Sequence, residues 1–157
     1  MKFTDLIQMK KSNFLPKEGD VFILKPKENL YCFGRVIQTK VNSKDSFING
    51  MNLIYIYDFF SKTKDLPEML EKKDILIVEV VNHQLWRKGF AETIGYSKVT
   101  NEDLENDIAF WNIMKKEYVN INGDRFDHVP KYAGMFGLGS YGSIGRQIQK
   151  ILGDRGI

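Results

Sequence analysis

The sequence predicts an α+β fold: a mainly antiparallel, curved and partly barrel-like β-sheet with a short middle helix and a C-terminal amphipathic helix packed across it. Three observations carry this reading. Short apolar runs rich in β-branched and aromatic residues recur between polar turns over the first hundred positions. With 43% hydrophobic and 13% aromatic residues, a chain of 157 residues holds enough apolar surface for one ordinary domain, taken as 1–157, around a real core. Near the C-terminus the period changes, because Ile144, Ile148, Ile151 and Leu152 recur at helical spacing opposite Arg146, Gln147, Gln149 and Lys150.

The first strand is Asp20 to Lys25, where Val21-Phe22-Ile23-Leu24 is entered through Gly19 and closed by Pro26. Its unbroken apolarity predicts burial on both faces. After a turn at Lys27-Glu28-Asn29, Leu30 to Thr39 pairs with it as a hairpin, and Met51 to Phe60 is a central third strand. Pro67 suits the first turn of a short helix through Met69 and Leu70, ending at Lys72-Lys73. Asp74 to Val81 is the fourth strand, Asn82 to Gly89 a turn or one helical turn, and Phe90 to Tyr96 a fifth strand. Thr100 caps the acidic segment that follows. Asn122-Gly123 predicts a two-residue type I′ hairpin that sets Ile121 opposite Asp124, Val119 opposite Phe126 and Glu117 opposite His128. The apolar stripe of the last helix suits its own sheet or a second copy, which leaves a homo-oligomer through that helix open.

Composition narrows the function classes. The net charge of +3, from 23 basic and 20 acidic side chains, is mild and scattered, so a dedicated nucleic-acid surface is not expected. No stretch approaches the roughly 20 apolar residues of a membrane span, which predicts a soluble, cytoplasmic protein. Cys32 is the only cysteine, so no internal disulfide and no cysteine-rich zinc site can form.

Gly137-x-Gly139-x-x-Gly142 looks like a dinucleotide fingerprint, but only 15 residues follow it, too few for the next strand and its acidic residue. The glycines read instead as a tight loop of positive φ, with Ser140 or Ser143 capping the last helix. Asp124, Asp127 and His128 resemble metal ligands. On a strand, however, Asp127 and His128 point apart, and Asp124 lies about 13 Å from His128 at roughly 3.3 Å per residue. His83 lacks a partner for acid or base chemistry, and Cys32 sits in an apolar strand where a thiol is inert. No catalytic residue, metal ligand or cofactor is therefore assigned.

One pattern is unusual. In "YCFGRVI", alternation puts Tyr31, Phe33, Arg35 and Ile37 on one face, with Cys32, Gly34 and Val36 on the other. Arg35 among aromatics reads either as a reader of stacked bases, in a small nucleic-acid-binding barrel, or as an internal cation paired with a carboxylate such as Asp58. The internal pair is favoured, with Gly34 letting another element approach closely.

The same residues carry a family resemblance. Gly19-Asp20-Val21-Phe22, Phe33-Gly34-Arg35-Val36, Tyr57-Asp58-Phe59 and Ile94-Gly95, in that order between Lys17 and Tyr96, resemble the immunity protein 26 family of bacterial polymorphic toxin systems. The resemblance implies a cytoplasmic antidote with no catalytic site, which binds a cognate toxin domain and blocks it. Residues placed outside the expected core, combining aromatic anchors and charge, are candidate contacts: Trp86, Arg87, Glu102, Asp103, Glu105, Asp107 and Tyr118. The acidic run among them reads as a solvated face or as a steering surface for a basic toxin.

Overall fold

A computed structural model describes residues 5–105 and 107–157. Among the described residues, nine strands form two sheets. The larger is built from β1 (Asp20–Lys27), β2 (Leu30–Gln38), β3 (Asn52–Ser61), β4 (Ile75–Val81), β5 (Glu92–Tyr96) and β9 (Leu138–Gly139), in the spatial order β5-β1-β2-β3-β4-β9. All its pairings are antiparallel except that of β4 with β9. The smaller sheet has the order β7-β6-β8, from β6 (Ile108–Asn112), β7 (Glu117–Val119) and β8 (Tyr132–Met135). One-turn α1 (Gln84–Arg87) falls in the expected Asn82–Gly89 turn, and α2 (Tyr141–Asp154) is the C-terminal helix.

The four central strands are apolar on both faces because both faces are covered. On one side Phe22, Leu24, Cys32, Val36, Ile54 and Ile56 meet Ile144, Ile148 and Leu152 of α2. On the other, Val21, Ile23, Phe33, Ile37, Tyr55 and Val78 meet Phe110 and Val119 of the smaller sheet. The alternation expected for "YCFGRVI" is the one observed. The stripe of α2 is thus buried against the chain's own sheet. Register shifts interrupt each of the four antiparallel ladders of the larger sheet and bend it. The curvature is loose and stops short of closure, so no closed barrel forms among the described residues.

Gly34 allows the close approach expected of it. The Phe22 ring occupies the space a Cβ would need, and that ring packs edge-on against Trp86 with centroids 5.4 Å apart.

Other expectations change. The helix from Pro67 is absent: residues 62–71 are irregular and only a 3-10 turn forms at Lys72–Asp74. The reason is Lys72, which is pulled inward to bind a distant carboxylate rather than ending a surface helix. The type I′ hairpin is also absent. Among Asn122 and Gly123 only Gly123 has positive φ, at 102°, and the Asn120 carboxamide oxygen accepts from Gly123 N and Asp124 N at 3.0 Å each. A three-residue loop results, which sets Val119 opposite Arg125 and slips the predicted register by one. The main partner of β7 is β6, through a turn where the Asn112 side chain accepts from Met114 N and Lys115 N.

None of Gly134, Gly137, Gly139 and Gly142 has a left-handed backbone, so positive φ is not their role, and Gly134 and Gly139 serve close approach instead. A Cβ on Gly134 would run into Val78 O of β4, and one on Gly139 into the Glu79 carboxylate. This bareness lets β8 and β9 lie directly on β4. Ser140 then starts α2 through a reciprocal capping box, in which Ser143 N donates to Ser140 Oγ at 3.1 Å and Ser140 N to Ser143 Oγ at 2.9 Å.

Gly134→Ala is expected to cost about 1–3 kcal/mol, because the added methyl must displace backbone; Gly137→Ala, which meets only open space, leaves the denaturant midpoint unchanged. Glu79 is buried beneath α2 and bound by Gln147 Nε2 at 2.7 Å. Burial raises its pKa above the ordinary 4.5, against the smaller opposing effect of that hydrogen bond. The protonated carboxyl is therefore favoured by folding, so this contribution to stability is full below 4.5 and lost as pH rises through the higher folded value. The stability gain of Glu79→Gln over the native chain should accordingly widen between about pH 4 and pH 7, read from denaturation midpoints at each pH.

Candidate partner-binding site

The acidic run Glu102, Asp103, Glu105 and Asp107 follows β5 and divides into two halves. Asp103 and Asp107 turn inward, while Glu102 and Glu105 stay exposed. Asp103 is 6% exposed and is the counter-ion of Arg35, itself 3% exposed in the middle of β2. Thr100 N and Oγ1 also donate to the Asp103 carboxylate, at 2.9 and 3.2 Å, so Thr100 binds the segment as a donor rather than as an accepting cap. Tyr55 Oη donates to the Asp103 carbonyl at 2.7 Å. Asp107 lies 2.6 Å from Lys72 Nζ, which also donates to the Glu102 carbonyl at 2.7 Å. Two cations from separate parts of the chain thus hold one short acidic segment.

The pairing matters because a lone buried guanidinium or ammonium is strongly disfavoured. Arg35 Nε and Tyr57 Oη remain buried without a hydrogen-bond partner among the described residues, so Asp103 carries most of the compensation. Burial also raises the Tyr55 and Tyr57 pKa values, keeping both phenols neutral around the pair. Beside it lies an open cleft of about 390 Å³ between segments 69–73 and 97–103. Exposed Met69 and Leu104 add apolar surface near the outward Glu102.

The structure rearranges several expected contacts. Trp86 is only 2% exposed, because it packs on Phe22 in the core, and Asp103 and Asp107 are engaged internally. These three are not free contacts. Arg87, Glu102 and Glu105 are exposed, and Tyr118 is half-buried against Trp111 at 5.0 Å between centroids. Asp58 does not pair with Arg35. It lies further along β3 and holds Arg155, just past α2, through two hydrogen bonds of 2.6 and 2.9 Å that lower its pKa. The base-stacking platform also loses its surface, since Phe33 is fully buried and Tyr31 lies under the ammonium groups of Lys25 and Lys64.

Gly19, at φ 89°, turns the chain into β1, and the Asp20 carboxylate accepts from Lys17 N at 2.8 Å. Phe33 packs edge-on against Phe59. The short motifs that carry the family resemblance therefore hold the sheet together.

Asp127 and His128 correct another expectation. Residues 126–131 are not a strand, so alternation does not apply, and Asp127 Oδ1 lies 2.7 Å from His128 Nδ1. Asp124 pairs instead with Lys44. No group of three or more His, Cys, Asp or Glu is placed to hold a metal among the described residues. Burial pushes the Cys32 thiol up to about 12, and its Sγ donates to Tyr57 O at 3.6 Å. Partial burial, then the charge of Arg87, holds the His83 imidazole below its ordinary 6.5.

The geometry defines a sheet protein that presents charged and apolar side chains on an internally braced surface. The immunity protein 26 family model matches residues 17–118, well over half of the sequence, and the chain belongs to that family. The match covers β1 to the middle of β7, including Arg35, Lys72, Asp103 and Asp107. No curated protein and no solved structure matches the chain.

Removing Asp103 should cost far more than an exposed ion pair. Asp103→Ala leaves Arg35 buried and uncompensated and is expected to lower stability by about 3–5 kcal/mol. Arg35→Met with Asp103→Leu removes both charges and should recover most of that loss in denaturant unfolding. A double variant as unstable as Asp103→Ala would assign the loss to packing.

Proposed function

We propose that the protein is an antitoxin that binds a cognate polymorphic toxin domain in the cytoplasm and neutralises it by covering the toxin's surface, without chemistry of its own. The observation that carries this reading is the immunity-family match over residues 17–118. Within the matched stretch, Glu102 and Glu105 project from a segment pinned by Arg35 and Lys72. Such a surface loses little conformational freedom when a partner docks, which favours affinity. Met69 and Leu104 supply exposed apolar contact beside the charge, with Arg87 and Tyr118 as further contacts. An interface of about 1,600 Å² with a few such anchors suffices for a stable inhibitor.

The test is co-purification of the tagged chain with the product of the adjacent upstream reading frame, at low and at high salt. A one-to-one complex that survives high salt and abolishes toxicity on co-expression is the expected result. Glu102→Lys with Glu105→Lys should slow association roughly tenfold at low salt, with a smaller effect at high salt. Recovery of nucleic acid alone, lost as salt rises, would sink the proposal in favour of a nucleic-acid-binding module.

A further inference from the structure

A second surface lies at the other end of β5. This strand closes the larger sheet: it pairs with β1 and with no other strand among the described residues. Its first residues, Glu92 and Thr93, line a groove of about 720 Å³ whose far wall is the segment from Lys10 to Lys17. That wall is held by its ends, through Ser12 N donating to Trp86 O at 3.0 Å and Lys17 N to Asp20 Oδ2 at 2.8 Å. Between these ties it presents Phe14, 89% exposed, and Leu15, 57% exposed.

The charge of the groove is predominantly positive. Of its two carboxylates, Glu92 is paired with Lys64 Nζ at 3.3 Å, while Asp20 keeps its charge and accepts from Lys17 N. Lys10, Lys11 and Lys17 line the same groove with exposed side chains, and none forms an ion pair among the described residues. An unpaired sheet edge offers a row of backbone donors and acceptors to an extended chain. Three free ammonium groups beside that edge select an acidic one.

We propose that an extended, acidic segment of the toxin adds as a strand to the outer edge of β5, with its carboxylates against Lys10, Lys11 and Lys17 and its apolar side chains against Phe14 and Leu15. This rests on the reading that the chain neutralises a toxin domain, and it assigns the mode of recognition. Backbone pairing provides affinity and the lysines provide selectivity.

The test uses the full chain and the C-terminal domain encoded by the adjacent upstream reading frame, with the triple variant Lys10→Glu, Lys11→Glu and Lys17→Glu. All three positions are exposed, so the fold is retained and circular dichroism verifies it. Toxin affinity should fall at least tenfold in the variant, and backbone amides of Glu92–Tyr96 should gain hydrogen-exchange protection in the native complex. Unchanged affinity together with unprotected β5 amides would overturn strand addition and leave the antitoxin reading standing. If the native chain captures no toxin domain, the antitoxin reading fails and the strand-addition proposal fails with it. Concentration-dependent self-association of the free chain, abolished in the variant, would assign the edge to a second copy and overturn the proposal.

Discussion

A single arginine sets the terms for much of this structure. Arg35 sits in the middle of β2, with its side chain on a face covered by the smaller sheet and its connections. Removing that charge from water is tolerable only with a counter-charge at hand. Asp103 arrives from the connection between β5 and β6, which must therefore fold back over the sheet. Lys72 makes the same demand from the other side of the cleft, and Asp107 meets it. Two electrostatic requirements thus fix where the chain leaves β5 and where β6 begins.

The covering elements meet the sheet by different means. The helix α2 uses branched aliphatic side chains and is tied at its C-terminal end by Arg155 to Asp58. Across the other face, Gly134 brings β8 close to β4 because it has no side chain to keep the backbones apart. The two contacts differ in tolerance. A helix face can shift slightly to absorb a changed side chain, whereas backbone pressed on backbone has little room to adjust.

This arrangement gives the surface its character. Inward pairing of Asp103 and Asp107 leaves Glu102 and Glu105 projecting from a fixed support instead of a loose loop. The open edge of β5 runs between that acidic shoulder and the lysine-lined groove, so the two signs of charge lie at opposite ends of one strand. Partner recognition along β5 would read charge order as well as shape.

Much of this was legible in the sequence, for local reasons. The apolar runs of β1 to β5 placed those strands within two residues of their observed ends, because a strand buried on both faces has no choice but to be apolar. The stripe Ile144, Ile148, Leu152 marked α2, and the pair Ser140 and Ser143 its start, through spacing and capping chemistry contained within a few residues. Alternation in "YCFGRVI" assigned Tyr31 to Ile37 of β2 to their faces. Tertiary structure decided the rest. Strands β6, β8 and β9 are short, and two of their pairings are parallel to strands distant in sequence, so no local pattern announces them. Which carboxylate would meet Arg35 could not be read from its neighbours, because the partner lies 68 residues away. Periodicity and capping are properties of adjacent residues and survive in the sequence, whereas the identity of a counter-ion and the bareness demanded of a glycine exist only once distant segments meet.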